Sequence, residues 1–276
     1  VVTRPRLQLL LIAAAVLLAM APWFSAAAVI PQWRDAGLVG EAALGWLTAA
    51  VQLGFVAGSL LSALLGLPDR WPAQRLLAGS ALLAAVANAG ILGRADDAVA
   101  VVGLRAATGF ALAGVYAPGM RLVASWTGRD RGLGLGILVA ALAVGSSLPH
   151  LVGGLAGAGA AEIAPWPRVI AGTSAAAAAA ALLAGLLVRA GPLGASPAPF
   201  DWRAAGVVWR DRAARLALGS YLGHMWELYA LWAWAPLFLL ISYEAAGWSP
   251  GGARRGRGGG GGGGARGRGG GGGGGA

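Results

Sequence analysis

The sequence contains no cysteine, no lysine, only two histidines and little charge of either sign. Without cysteine there is no disulfide framework, no thiolate metal site and no cysteine nucleophile. The loops supply Asp96-Asp97 and Asp201 but no His-rich or DxD-type cluster, so neither a metal nor a cofactor is expected. The missing lysine, beside abundant Ala, Gly and Arg, is the mark of GC-rich coding rather than of chemistry. Charged residues make up 12% of the chain, where a soluble domain carries about 25%. Strand-like alternation is also missing. What remains is 57% hydrophobic with a mean hydropathy of +0.67, a composition that belongs in a lipid bilayer. The formal charge of +10 does not point to nucleic acid, because all 21 basic residues are arginines, most of them in short loops or in the tail. Such loops set membrane orientation and do not form a basic groove.

Runs of about 20 apolar residues span a bilayer as helices. Seven are expected: roughly Leu7–Ile30, Leu44–Leu65, Leu76–Leu92, Ala98–Val123, Leu133–Leu155, Trp166–Val188 and Leu216–Ile241. The fold class is therefore an all-α membrane protein, a polytopic helical bundle. Its expected parts are a six-helix bundle (1–188), a loop rich in proline and arginine (189–215), a seventh helix (216–243) and a Gly/Arg-rich tail (244–276). The basic start and Ala26-Ala27-Ala28 imitate a signal peptide, but the apolar run is too long and Pro22-Trp23 interrupts it. With the N-terminus inside, only Arg34, Arg94 and Arg168 fall in outer loops, and this asymmetry predicts a cytoplasmic N-terminus. By the same count the tail emerges outside. An RGG-like tail binds nucleic acid loosely, but no nucleic-acid partner waits there, and a flexible terminus or a frame-shifted end is the expectation.

Polar residues inside these runs are the candidate site. Arg105 lies several residues inside the fourth span, where a guanidinium costs roughly 2.5–3.5 kcal/mol on insertion scales. Two readings stand: it faces a polar cavity or partner, or it snorkels to the outer headgroups. Arg105, Gly109, Leu112 and Tyr116 share one face at helical spacing. In the seventh span, YLGHMWELYALWAWAPLFLL, His224 and Glu227 share a face, with Tyr221, Trp226, Trp232 and Trp234 nearby. Histidine titrates near physiological pH, and an acid within the bilayer is a functional-site hypothesis by default. The alternative is that Glu227 pairs with His224 or Arg105 to hold the bundle. Trp232 and Trp234 fit an interfacial belt. Gly54, Gly58, Ser62 and Gly66 recur every four residues along the second span, a spacing that lets a neighbouring helix approach closely.

Six spans, a central basic loop and a further span resemble the major facilitator superfamily of secondary transporters. Gly66-Leu67-Pro68-Asp69-Arg70-Trp71-Pro72-Ala73-Gln74-Arg75 is similar to the family's G-x-x-x-D-R-x-G-R-[KR] loop. Gly66, Asp69 and Arg70 match it, while Pro72 and Gln74 replace the second glycine and the next arginine. The resemblance implies a conformational latch at Gly66, Asp69 and Arg70. Arg105-Ala106-Ala107-Thr108-Gly109 resembles the family's fourth-span R-x-x-x-G, whose arginine is implicated in proton coupling. Gly136, Gly145, Pro149, Gly153 and Gly154 are similar to the glycine-proline motif of antiporter fifth spans, with the proline one position early. They predict a bent, closely packed helix, with His150 beside them as a polar site or a cap on freed backbone. YLGHMWELYALWAW resembles the seventh span of bacterial facilitators in the nitrate/nitrite and cyanate-like branch.

The family implies transport of a small solute by alternating access, coupled to protons, in a bacterial inner membrane, and no enzyme activity. Its parallel repeats imply that spans one, four and seven line the cavity. Ala21-Pro22-Trp23 in span one is echoed by Ala235-Pro236-Leu237 in span seven. The expected substrate and proton pathway is Trp23, Ser25, Arg105, Tyr116, His224 and Glu227. Its cation suits an anionic solute, although Glu227 would equally serve a cation or a proton. The resemblance covers residues 4–243 and stops short of five spans of the family, so a non-transporting fragment is the alternative expectation. A membrane-embedded enzyme is the other, but no nucleophile–base pair or metal cluster supports it.

Overall fold

In lipid the backbone satisfies its own hydrogen bonds or goes without, so apolar runs of this length fold as helices. The computed structural model describes residues 5–128, 130–155, 165–194, 206 and 209–245, and every regular element among them is helical. In chain order these are α1 (Pro5–Ala19), α2 (Ser25–Asp35), α3 (Glu41–Leu64), the one-turn α4 (Leu67–Arg70) and α5 (Ala73–Gly90). A 3-10 turn, Ile91–Gly93, extends α5; then come α6 (Ala98–Trp126), α7 (Arg131–Leu155), α8 (Trp166–Leu186) and α9 (Arg212–Ala245). Five of the described helices are long and apolar enough to cross a membrane: α3, α5 with its 3-10 turn, α6, α7 and α8.

The first expected span is interrupted where its sequence has Pro22-Trp23. It is two helices, α1 and α2, separated by a turn at Met20–Phe24. Pro22 has no N–H to donate and its ring opposes a continuing helix. The chain passes through on short-range bonds, Trp23 N to the Met20 carbonyl (3.0 Å) and Ser25 N to the Pro22 carbonyl (3.3 Å). Pro149, by contrast, sits inside a continuous α7.

The chain divides into two compact units, residues 1–200 and 201–276. In the first, α6 packs against α1, α3, α5 and α7, and α8 closes the bundle against α1 and α5. Helices in lipid associate through close packing rather than a hydrophobic drive, and α3 meets α6 backbone to backbone. A Cβ on Gly54 would strike the Ala106 carbonyl, one on Gly58 the Phe110 carbonyl, and one on Gly109 the Val51 carbonyl. Gly145 of α7 meets the Leu17 carbonyl of α1 in the same way, whereas Gly136 faces open space. Outward side chains such as Leu53, Leu60, Val86, Leu182 and Leu186 are apolar and exposed, as a lipid-facing surface requires.

Two apolar clusters fill this unit. One joins Ile12, Val16 and Met20 to Leu77, Ala84, Leu112, Val115, Leu138 and Ala180. The other joins Val29 and Trp33 to Leu44, Leu47, Ile91, Val101, Val169 and Ile170. Between the two clusters lie the buried polar residues Asn88 of α5, Arg105 and Thr108 of α6, Thr173 and Ser174 of α8, and Ser25 at the α1–α2 break.

The second unit contains α9, a helix of 34 residues onto which the seventh expected span falls. The Gly/Arg-rich tail beyond Ala245, the loop prolines Pro197 and Pro199, Asp201 and Arg129 lie outside the described residues. So do the side chains of Trp232, Ala235, Pro236 and Leu237, and with them the expected echo of the span-one proline.

Candidate functional site: an arginine held by a broken helix

Arg105 projects from α6 into the polar layer between the two clusters and is 1% exposed. It does not snorkel. Its Nη1 donates to the Pro22 carbonyl (2.9 Å), to Ser25 Oγ (3.1 Å) and to Asn88 Oδ1 (3.2 Å). Its Nη2 donates to the Trp23 carbonyl at 2.5 Å. The break in the first span thus presents two backbone carbonyls, those of Pro22 and Trp23, to the guanidinium. Among the described residues the buried Nε–H has no partner. Every one of these acceptors is neutral. Among the described residues the ion pairs are Arg34–Glu41 and Arg121–Asp69, so the charge of Arg105 meets no carboxylate within this unit.

Asn88 of α5 is the hub of the layer. Its Oδ1 also lies 2.8 Å from Ser25 Oγ, and its Nδ2 donates toward Ser174 Oγ (2.9 Å), Thr173 Oγ1 (3.1 Å) and the Ile170 carbonyl (3.3 Å). Asn88, Ser25 and Thr173 are each fully buried. A buried amide gains only when both its ends are satisfied, and here one end holds the arginine while the other holds α8. The network therefore ties the α1–α2 break, α5, α6 and α8 at one level.

Of the six residues expected to converge, Trp23, Ser25 and Arg105 lie together. Trp23 contributes its carbonyl, while its ring is half-buried in edge contacts with Phe24 (6.5 Å) and Phe55 (5.1 Å). Tyr116 is half-buried against the first apolar cluster, three turns or about 16 Å along α6 from Arg105. Gly109 and Leu112 are packing positions: the first faces α3, the second is fully buried. His224 and Glu227 are three residues apart on α9, in the second unit, and both are exposed. His150 is exposed on α7. Asn88, Thr173 and Ser174 are the members that sequence reasoning missed. Their signal was a carboxamide and neighbouring hydroxyls in otherwise apolar runs, weaker than a charge but subject to the same need for partners.

A second constellation lies at the other end of α6. Gly66 has φ +60°, a left-handed conformation that glycine adopts without steric cost. It turns the chain from α3 into α4, where Pro68 occupies the first turn. Asp69 lies 3.6 Å from Arg121 of α6, and Arg121 also donates to the Pro68 carbonyl. The partner of Asp69 is thus an arginine from another helix, not its neighbour Arg70, which is exposed.

No group of three or more His, Asp and Glu able to hold a metal occurs among the described residues. The architecture defines a polytopic helical membrane protein with a buried cation held at a discontinuous helix. The chain matches the model of the Major Facilitator Superfamily over residues 12–262 and belongs to that family, whose members are transporters rather than enzymes. No protein of curated function matches it.

Proposed function

We propose that the chain is the cation-bearing part of a secondary transporter that moves a small anion by alternating access, coupled to protons. Family membership implies transport; the observation that carries the rest is Arg105, a buried charge that meets no carboxylate among the described residues. Transporter sites form near the midplane at interrupted helices, where half-helix N-termini face anionic groups. Here α2 begins at Ser25, within reach of Arg105, and its N-terminal dipole adds to the positive potential. An anion would meet that potential, and the similarity of YLGHMWELYALWAW to nitrate/nitrite and cyanate-like facilitators agrees with it. In this reading Glu227 and His224 of the seventh span exchange the proton, with Tyr116 further along the pathway. The domain plan is a six-helix half (1–188), an inter-half loop (189–215) and the start of a second half (216–243). Gly66, Asp69 and Arg70 form the latch, with the N-terminus cytoplasmic in a bacterial inner membrane.

The test is anion uptake and counterflow by the full-length chain in vesicles with an imposed pH gradient, over a panel including nitrate, nitrite and cyanate. Arg105→Met should abolish both activities. Glu227→Gln should abolish accumulation while sparing counterflow. Undiminished accumulation by the Glu227→Gln protein would reduce Glu227 to a structural partner and refute the coupling.

A further inference from the structure

The end of α6 far from Asp97 opens into a cavity of about 560 Å³. Three arginines, Arg70, Arg121 and Arg131, line it with a single acid, Asp69, so its wall carries a net charge of +2. Asp69 and the Pro68 carbonyl already engage Arg121. Arg131 is steadied through its Nε, which donates to the Thr127 carbonyl at 3.3 Å. Neither Arg70 nor Arg131 forms an ion pair among the described residues.

One wall is a pinned strap, the segment that follows α8. Gln8 of α1, itself buried, takes the Arg189 N–H on Oε1 (2.9 Å) and gives Nε2 to the Leu187 carbonyl (3.2 Å). Ser125 of α6 accepts the Gly191 N–H on Oγ (2.8 Å) and the Leu193 N–H on its carbonyl (3.1 Å). Trp126 Nε1 donates to the Arg189 carbonyl at 2.8 Å. A Cβ on Gly191 would strike the Ser125 carbonyl, so the strap lies directly on α6. The cavity is therefore shaped before any ligand arrives, which lowers the ordering cost of binding. Its mouth carries exposed Trp71 and Leu193. An amphipathic ring with an apolar neighbour at the end of a membrane helix is the pattern of the headgroup level.

From this geometry we infer that the cavity is a binding site for a phosphate-bearing anion, seated by Arg70 and Arg131 with Arg121 behind them. Guanidinium groups match phosphate oxygens in geometry and charge. Phosphate chemistry has two sources at this level, an anionic lipid headgroup and soluble phosphate, and the experiment separates them.

The full-length chain is reconstituted in nanodiscs of phosphatidylcholine, with or without phosphatidylglycerol, and bound lipid is counted by native mass spectrometry. The second arm, without phosphatidylglycerol, titrates inorganic phosphate against thermal stability in phosphatidylcholine discs. Retention of phosphatidylglycerol, weakened about tenfold or more in Arg131→Gln and in Arg70→Gln, supports a lipid headgroup site, since a charged hydrogen bond contributes about 1.5–3 kcal/mol. Saturable stabilisation by phosphate, lost in the same variants, supports a soluble ligand instead. Arg94→Gln, at the opposite end of α6, should change neither, and unaltered helicity in each variant excludes misfolding. Equal retention of both lipids with no response to phosphate, or equal losses in Arg94→Gln, would overturn the assignment.

Discussion

Asn88 is one of the two side chains that accept from the buried arginine, and its removal has a calculable cost. In Asn88→Ala the neutral partners each keep a second bond. Ser25 Oγ still reaches the Pro22 carbonyl at 2.9 Å, Thr173 Oγ1 the Val169 carbonyl at 2.8 Å, and Ser174 Oγ the Ile170 carbonyl at 2.8 Å. Their losses are ordinary interhelical hydrogen bonds, on average about 0.6 kcal/mol each in membrane proteins. Arg105 keeps Pro22, Trp23 and Ser25 but loses one acceptor of a charged donor, worth about 1.5–3 kcal/mol. The charged bond is therefore the largest single loss. If Arg105 is already methionine, that loss is absent and Asn88→Ala should cost only the neutral remainder. The double-mutant cycle then has a coupling energy of about 1.5–3 kcal/mol. Reversible unfolding in mixed micelles, followed by circular dichroism on wild type, both single variants and the double, measures it. Additivity within about 0.5 kcal/mol, the scatter expected of independent sites, would show that Asn88 does not hold Arg105.

Three further outcomes follow from the same geometry. Gly109→Leu forces α3 and α6 apart at the Val51 carbonyl and should destabilise the bundle by at least the roughly 1–3 kcal/mol of core overpacking, whereas Gly136→Leu, facing open space, should be silent in the same melt. Asp69→Asn weakens the contact to Arg121 and should slow transport without lowering expression; Arg121→Gln should reproduce it, and unchanged rates in both would leave the α3–α5 loop an ordinary turn. Cysteines at Gly128 and Asp96, beyond the two ends of α6, should react with an impermeant reagent from opposite sides of the membrane, and labelling of both in intact cells would contradict the topology.

Helix positions were legible because in this chain composition and period coincide. The second to sixth apolar runs each appear as one helix within a few residues of their expected bounds, and the α3 stripe did its work at Gly54 and Gly58. Arg105 was legible for the same reason that makes it costly: a lone charge in an apolar run stands out. Its partners were harder to see because they are mostly not side chains. The carbonyls of Pro22 and Trp23 carry no sequence signature beyond the proline at the break where they lie. Gly109 misled in a particular way. On one helix its lack of a side chain looks like a gap beside a cation, but the gap is filled by the backbone of α3. The Asp69–Arg121 contact spans fifty-two positions between α4 and α6. No local motif spacing specifies a pair of that separation.

The polar layer also bears on what can move. Burying a guanidinium among neutral oxygens is less favourable than pairing it with an acid of the same unit. Ser25 Oγ and Asn88 Oδ1 lie 3.1 and 3.2 Å from Arg105, positions where an acid would pair with it. The arrangement instead fixes the arginine's position through four elements while leaving its charge unspent. Around it, α3 and α6 touch through their backbones and α1 touches α7 at Gly145, contacts with little room for sliding. A unit so tied resists internal deformation, because packed interiors transmit displacement more readily than they absorb it. Alternating access by rocking needs a bundle stiff enough to move as one body, and this one adds a buried charge that no carboxylate among the described residues neutralises.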